Sequence, residues 1–158
     1  MVREPMTPAG HAHLKEELAR LKAEMPKISE EIGTAADHGD LKENAEYHAA
    51  REKQGMVVAR MTDIEDQLAR AEVIDPAQLG GDRVKFGAIV ELEDVDSGKT
   101  VTYSIVGRAE TDVSAGKISV TSPVAKALIG KEPGDEVRVK VPGGLRTYEV
   151  VDVGWLEG

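Results

Sequence analysis

The sequence has no cysteine, very few aromatic residues and no long apolar run. Its 158 residues include one Phe, one Trp and three Tyr. Without cysteine there is neither a disulfide framework nor a thiolate zinc site, which suits a reducing compartment. The chain also lacks the roughly 18 consecutive apolar residues of a membrane span, and its start lacks the apolar stretch of a signal peptide. We therefore expect a soluble cytoplasmic protein with no membrane partner.

Positive charge is scarce as well. The chain has 20 Lys and Arg against 29 Asp and Glu, for a net charge of −9. A broad basic face therefore cannot supply the main binding energy, and free duplex DNA or RNA is a poor candidate partner. The acidic excess is sharpest between residues 30 and 46, where Lys42 is the one basic residue. The acidic residues of this segment are Glu30, Glu31, Asp37, Asp40, Glu43 and Glu46.

Two apolar stripes with helical spacing occupy the part of the chain before Pro76. The first stripe comprises Leu14, Leu18, Leu21, Met25, Ile28, Ile32 and Ala35. The second stripe comprises Tyr47, Ala50, Gln54, Val57, Met61, Ile64, Leu68 and Ala71. Few residues separate the stripes, so the chain must reverse direction between them. The pattern predicts an antiparallel coiled-coil hairpin whose arms have about 30 residues and a length of about 45 Å.

Two prolines bear on the first predicted helix. Thr7 before Pro8 is typical of a helix start. The Thr hydroxyl can cap a free amide, and proline fits the first helical position because no backbone N–H donor is needed there. Pro26 lies inside the apolar stripe. We expect it to bend or break the helix locally, since proline removes one backbone hydrogen bond.

From Gly80 onward the apolar period changes to two, as in half-buried strands. The alternating segments are 88–92, 101–105, 137–141 and 148–150. Turn residues separate them at 96–98 and 142–144. Ser122 and Pro123 begin a short helix that ends before Gly130. The sequence thus predicts an α+β fold, with a helical hairpin in residues 1–76 and a small β-rich domain in residues 77–158.

The turn between the predicted helices carries the most suggestive chemistry. Asp40 and Glu43 have the spacing of a capping box, in which the Asp caps the helix and the Glu reaches back. The same two carboxylates are also the oxygen ligands that Mg²⁺ prefers. Mg²⁺ usually takes one or two protein carboxylates and completes its shell with waters or phosphates, so this pair alone cannot form a tight site. Both interpretations remain open from spacing alone.

Other polar residues give weaker signals. Arg51 and Lys53 follow the acidic turn and could contact a phosphate backbone, although pairing with Glu52 and neighbouring acids explains them as well. His38 is the one histidine placed near the acidic turn, and a solvated surface role suits it equally. No Ser-His-Asp arrangement is visible. A self-sufficient enzyme is therefore not supported.

A longer pattern is more specific than these short ones. The segment 39–52, GDLKENAEYHAARE, closely resembles the signature of the Gre family of bacterial transcript cleavage factors. The resemblance extends to MTPAG at residues 6–10, to VKFGA at 84–88, and to SP at 122–123 followed by LIGK at 128–131. It therefore covers almost the whole chain.

The resemblance implies an FKBP-like C-terminal domain that docks on bacterial RNA polymerase while the hairpin enters the secondary channel. It implies that Asp40 and Glu43 help to hold a second Mg²⁺ and a water beside the polymerase's own aspartates, with no metal bound tightly to the free protein. The backtracked 3′ end of the nascent RNA is then cut hydrolytically. The chain would be a monomeric catalytic accessory. Ser122 and Pro123 are expected to dock on polymerase, although a plain helix cap explains them too.

Two positions depart from the family pattern. Ala36 stands where the family often has an arginine, and Met25 stands before Pro26 where a basic residue is common. Arg51 and Lys53 are then the expected RNA-contacting residues. The rival functions are a Gre-like inhibitor that occludes the channel without cleavage, and a chaperone or prolyl isomerase. An inhibitor need not retain both tip acids, and few aromatic residues are present to line a proline pocket.

Overall fold

The computed structural model describes residues 3–39 and 41–157, which divide into two units. One unit comprises residues 12–70, and the other joins the segment before Ala12 to the segment from Ala71 onward. This division differs from the expected boundary at residue 76, because strand β1 (Glu4–Met6) pairs in parallel with strand β2 (Ala71–Val73). No helix in the described part of the chain has the length and apolarity needed to cross a membrane.

The predicted helical hairpin is present. Helix α1 spans Pro8–Ala36 and helix α2 spans Ala45–Arg70. The apolar stripes face inward: Ile28 is 1% exposed and Ile64 is fully buried. Helix α1 is not interrupted at Pro26, so the expected break does not occur. The start of the helix was predicted correctly, since the Thr7 hydroxyl accepts from the Gly10 amide at 3.0 Å.

Ion pairs between the helices show their antiparallel register. Arg60 of α2 donates to both carboxylate oxygens of Glu17 in α1 at 2.8–3.2 Å. The hydrogen bonds from Arg60 lower the pKa of Glu17, and the same contact raises the pKa of Arg60. Nearer the turn, Lys53 Nζ lies 3.7 Å from Glu31 Oε2. These pairs join early α1 to late α2 and late α1 to early α2, as an antiparallel hairpin requires.

The second unit is built on a five-stranded mixed sheet. Its strands are β3 (Ala88–Asp94), β4 (Thr100–Val106), β5 (Lys117–Ser119), β6 (Glu136–Val141) and β7 (Gly144–Trp155). The spatial order is β5-β4-β3-β7-β6, and only β4 and β5 run parallel. Helix α3 (Pro123–Leu128) contacts β5 and β6. The core comprises Val84, Ala88, Val90, Leu92, Ile105, Ile118, Ala125, Leu128, Val137, Val139 and Val150.

Both predicted strand turns are present. The β3–β4 turn is held by Asp94, whose Oδ1 accepts from the amides of Asp96 and Ser97 at 2.9 and 3.2 Å. These amide donors lower the pKa of the Asp94 carboxyl. The β6–β7 connection is a two-residue loop, because Val141 pairs with Gly144.

The N-terminal segment is tied into the β-rich unit. Met6 is 2% exposed, and the carboxylate of Glu110 accepts from both the Thr7 amide and the Thr7 hydroxyl. Beside this contact, Gly107 brings its backbone so near Pro5 that a Cβ would lie 2.3 Å from the Pro5 carbonyl oxygen. Residue 107 therefore has to be glycine for this approach. The carboxylate of Glu110 also lies at the N-terminus of α1, where the helix dipole stabilises a negative charge.

Candidate functional site

The described residues between the two helices are 37–39 and 41–44. Helix α1 closes with hydrogen bonds from the Asp37 amide to the Gly33 carbonyl and from the His38 amide to the Ala35 carbonyl. Gly39 follows with φ of 129°, a conformation that L side chains rarely adopt, so the chain reverses at a glycine. Asp40, the first of the two predicted tip acids, lies outside the described residues.

Helix α2 is capped by Asn44. Its Oδ1 accepts from the Tyr47 amide at 3.0 Å, and the helix begins at Ala45. Glu43 therefore does not fill its predicted place in a capping box with Asp40, because it precedes the helix and cannot be its third residue. The sequence did contain the signal, since Asn is among the best N-cap residues. The Asp-x-x-Glu spacing obscured it.

Glu43, the second predicted tip acid, is exposed and does not act as a cap. Within the described residues its carboxylate has no hydrogen-bond or ion-pair partner. It borders an open hollow of about 470 Å³ together with His38, Asn44, Ala45 and Glu46. Across this hollow, His38 Nδ1 lies 3.9 Å from Glu46 Oε2. The turn thus presents Glu43 to solvent without using its charge to hold the fold.

The polar side chains of the turn suit a metal site shared with another molecule better than a site formed by this chain alone. The part of the chain that the structure describes has no group of three or more His, Asp or Glu side chains placed to hold a metal ion. An exposed carboxylate is a hard oxygen ligand that Mg²⁺ accepts alongside waters and ligands from elsewhere. Glu43 fits that partial role. The side chain of His38 is 61% exposed and lies beside the carboxylate of Glu46, as expected of a solvated surface histidine.

Arg51 and Lys53 lie at exposed positions in the second and third turns of α2. Arg51 Nη1 donates to Gln54 Oε1 at 3.3 Å, and Lys53 contacts Glu31 across the hairpin. The alternative prediction, pairing with Glu52 and neighbouring acids, is therefore confirmed for Lys53, whose partner is the neighbouring acid Glu31. The described contact of Arg51 is with a neutral amide instead. The exposed ion pair of Lys53 with Glu31 costs little to break.

Ser122 and Pro123 open helix α3 as predicted. The Ser122 hydroxyl accepts from the Ala125 amide at 3.2 Å, and Pro123 is the first helical residue. The capping interpretation of this pair is confirmed. Their docking role stays a prediction.

Two family models match the chain, and they meet between residues 73 and 79 rather than at the unit boundaries of the structure. Residues 4–73 match the family model "Transcription elongation factor, N-terminal", and residues 79–154 match "Transcription elongation factor, GreA/GreB, C-term". The chain belongs to the GreA/GreB family. The resemblance carried by the tip signature is thus confirmed, and the signature lies within the part matched by the N-terminal model.

Relatives of the GreA/GreB family match over nearly the whole chain. Transcription elongation factor GreA of Hyphomonas neptunium is 56% identical over 97% of this chain and 98% of its own length. GreA of Anaeromyxobacter sp. is also 56% identical, over 99% of this chain and 95% of its own length. The crystal structure of GreA factor homolog 1 (Gfh1) of Thermus thermophilus is 29% identical over 96% of this chain and 99% of that chain, with a TM-score of 0.45.

Proposed function

We propose that this GreA/GreB-family chain enters the secondary channel of bacterial RNA polymerase and stimulates cleavage of backtracked nascent RNA. It acts in the cytoplasm as a monomeric catalytic accessory to the polymerase and has no complete active site of its own. Its partners are the polymerase and the 3′ end of the nascent RNA. The family assignment and the 56% identity to GreA proteins support this function.

The observation that carries the proposal is that the carboxylate of Glu43 is exposed and is not used to cap a helix. Its carboxylate is exposed at the hairpin turn and is not spent on capping, because Asn44 caps α2 instead. A charge that stabilised the fold would be engaged with a helix end or a basic side chain. An unengaged carboxylate on a closed turn is instead available for a ligand that the free chain does not hold.

In this proposal, Glu43 and Asp40 together help to hold one Mg²⁺ in the polymerase reaction centre. A second ion in such a site stabilises the attacking and leaving oxygens of an in-line displacement. The hairpin's contribution is to bring oxygen donors to the ion and to restrict their motion. The carboxylates also orient a water by accepting its hydrogen bonds.

The basic residues near the turn fit an RNA-contacting role. Arg51 and Lys53 are exposed, and their present partners are a neutral amide and a half-exposed glutamate. An RNA phosphate would exchange those weak contacts for charge-assisted hydrogen bonds. Docking on polymerase falls to the β-rich unit, and Ser122 and Pro123 are its proposed contact residues.

The test is cleavage of a backtracked polymerase complex at a fixed, subsaturating Mg²⁺ concentration. Glu43→Gln removes the charge and keeps the side-chain shape, so we expect the cleavage rate to fall about 100-fold, equivalent to about 2.7 kcal/mol. Binding to polymerase should stay within about twofold, because the docking unit is untouched. Glu52→Gln is the matched control, since it removes one exposed carboxylate from α2 and leaves the turn unchanged.

Three outcomes would contradict the proposal. If the Glu43→Gln variant stimulates cleavage as fast as the unmodified chain, Glu43 does not help to hold the ion. Suppressed nucleotide addition without cleavage by the unmodified chain would make it an inhibitor. Isomerisation of a proline peptide, with no effect on the polymerase complex, would favour the isomerase alternative.

A further inference from the structure

The side chain of Asn44 does more than cap helix α2. While its Oδ1 accepts from the Tyr47 amide at 3.0 Å, its Nδ2 donates to the Ala35 carbonyl at 2.5 Å. Ala35 is in the last turn of α1, so one planar amide joins the end of one helix to the start of the other. The orientation of this amide is fixed by its partners, because the carbonyl only accepts and the backbone N–H only donates.

A second contact restrains the same turn. His48 Nε2 lies 3.0 Å from the Lys42 carbonyl oxygen and donates to it, since a carbonyl only accepts. Glu43 therefore sits between two residues that are both held to the first turn of α2. Its backbone is anchored on each side while its side chain remains exposed.

We propose that Asn44 is a positioning residue for the tip carboxylate, acting through its bond to Ala35. This inference rests on the proposed function, because the carboxylate to be positioned is that of Glu43. The bond to Ala35 closes the turn, so that the loop before Asn44 has fixed ends and Glu43 samples fewer positions. A ligand placed in advance loses less conformational entropy when it binds.

The substitution Asn44→Ser separates the two roles of the amide. Serine is as good an N-cap as asparagine, so the bond from the Tyr47 amide should persist. A serine side chain has no amide donor and is too short to reach the Ala35 carbonyl. If Asn44 were only a cap, Asn44→Ser would behave as the unmodified protein. Asn44→Asp adds a second comparison, because it keeps the cap and replaces the donor by a carboxylate oxygen.

The first measurement uses the free protein. Backbone ¹⁵N relaxation should show residues 41–43 becoming more mobile in Asn44→Ser, while the Tyr47 amide keeps its protection from hydrogen exchange. Arg60→Ala is the control, since it breaks a cross-helix contact far from the turn and should leave the mobility of residues 41–43 unchanged. Equal mobility of residues 41–43 in Asn44→Ser and the unmodified protein would overturn the inference.

The second measurement is cleavage in the polymerase complex. We expect Asn44→Ser and Asn44→Asp to cleave about tenfold more slowly, since small misplacements of a catalytic group cost this much or more. Binding to polymerase should be unchanged, and the Mg²⁺ concentration for half-maximal cleavage should rise. Full cleavage by both variants would overturn the positioning role and leave the proposed function intact. If the unmodified chain fails to stimulate cleavage, the proposed function fails, and the relaxation data still decide whether Asn44 orders the turn.

Discussion

At the scale of single residues, the role of Glu43 in the hairpin turn depends on the neighbouring residue Asn44. Because Asn44 caps α2, the acid one residue earlier is not needed by the helix. A carboxylate that does not stabilise the fold can bind a ligand without lowering the stability of the protein. The family signature predicted Glu43 as functional, and spacing alone could not separate that role from capping.

Asp94 is the contrasting case, an acid fully engaged by the fold. It is 5% exposed, accepts from two turn amides, and lies 3.4 Å from Arg146 Nη1. The amide donors depress its pKa below the ordinary value of about 3.8, so the charged form is stabilised in the folded state. This stabilisation is present above about pH 4 and is lost as the pH falls through the lowered pKa.

Asp94→Asn should therefore reduce stability in a pH-dependent manner. An asparagine oxygen can still accept from the turn amides, but it has no charge to interact with them or with Arg146. We expect a lower melting temperature than the unmodified protein at pH 7 and a shrinking difference below about pH 4. Thermal melts from pH 3 to pH 7 measure it, and a difference that grows on acidification would contradict the assignment.

At the scale of elements, the two long helices were predictable because their apolar spacing persists for about eight turns. Tertiary packing along such a stripe outweighs one unfavourable residue, and α1 accordingly continues through Pro26. The strands β3, β4, β6 and β7 were also predicted, by their alternation and turn residues. The three-residue strands β1, β2 and β5 were not, since a segment that short has no readable period.

The pair of Glu17 and Arg60 should contribute measurably to the hairpin. Its two-pronged geometry favours a stable contact, while the 44% exposure of the Arg60 side chain limits its strength. A double-mutant cycle with Glu17→Gln and Arg60→Ala should give a coupling free energy of about 0.5–1 kcal/mol. Urea unfolding measures it, and the value should fall at 1 M salt. A coupling of zero at low salt would mean that the pair contributes only to geometry.

At the scale of the whole molecule, the sequence predicted two unlike parts and placed their boundary where the helical apolar spacing ends. Strand pairing between residues far apart in sequence moves the first residues and those just after Arg70 into the β-rich unit. Such long-range pairing leaves no local pattern to read. The bond from Asn44 to Ala35 was not predicted either, because it joins the end of one helix to the start of the other across the turn.

This unit division can be tested directly. A chain in which a short flexible linker replaces residues 12–70 keeps β1, Met6 and the Thr7 contact with Glu110. A fragment of residues 77–158 loses all three. We expect the linked chain to melt about 10 °C higher, because burying one methionine side chain is worth roughly 1.5–3 kcal/mol. Equal melting temperatures would show that the N-terminal segment adds nothing to the unit.

The most direct test of the central claim is the Mg²⁺ dependence of RNA cleavage by a backtracked polymerase complex. If the tip carboxylates help to hold the ion, adding the unmodified chain lowers the Mg²⁺ concentration for half-maximal cleavage. Glu43→Gln should raise that concentration about tenfold or more, since ligand surroundings change metal affinity by at least this factor. An unchanged Mg²⁺ dependence for Glu43→Gln, with normal binding to polymerase, would contradict the account.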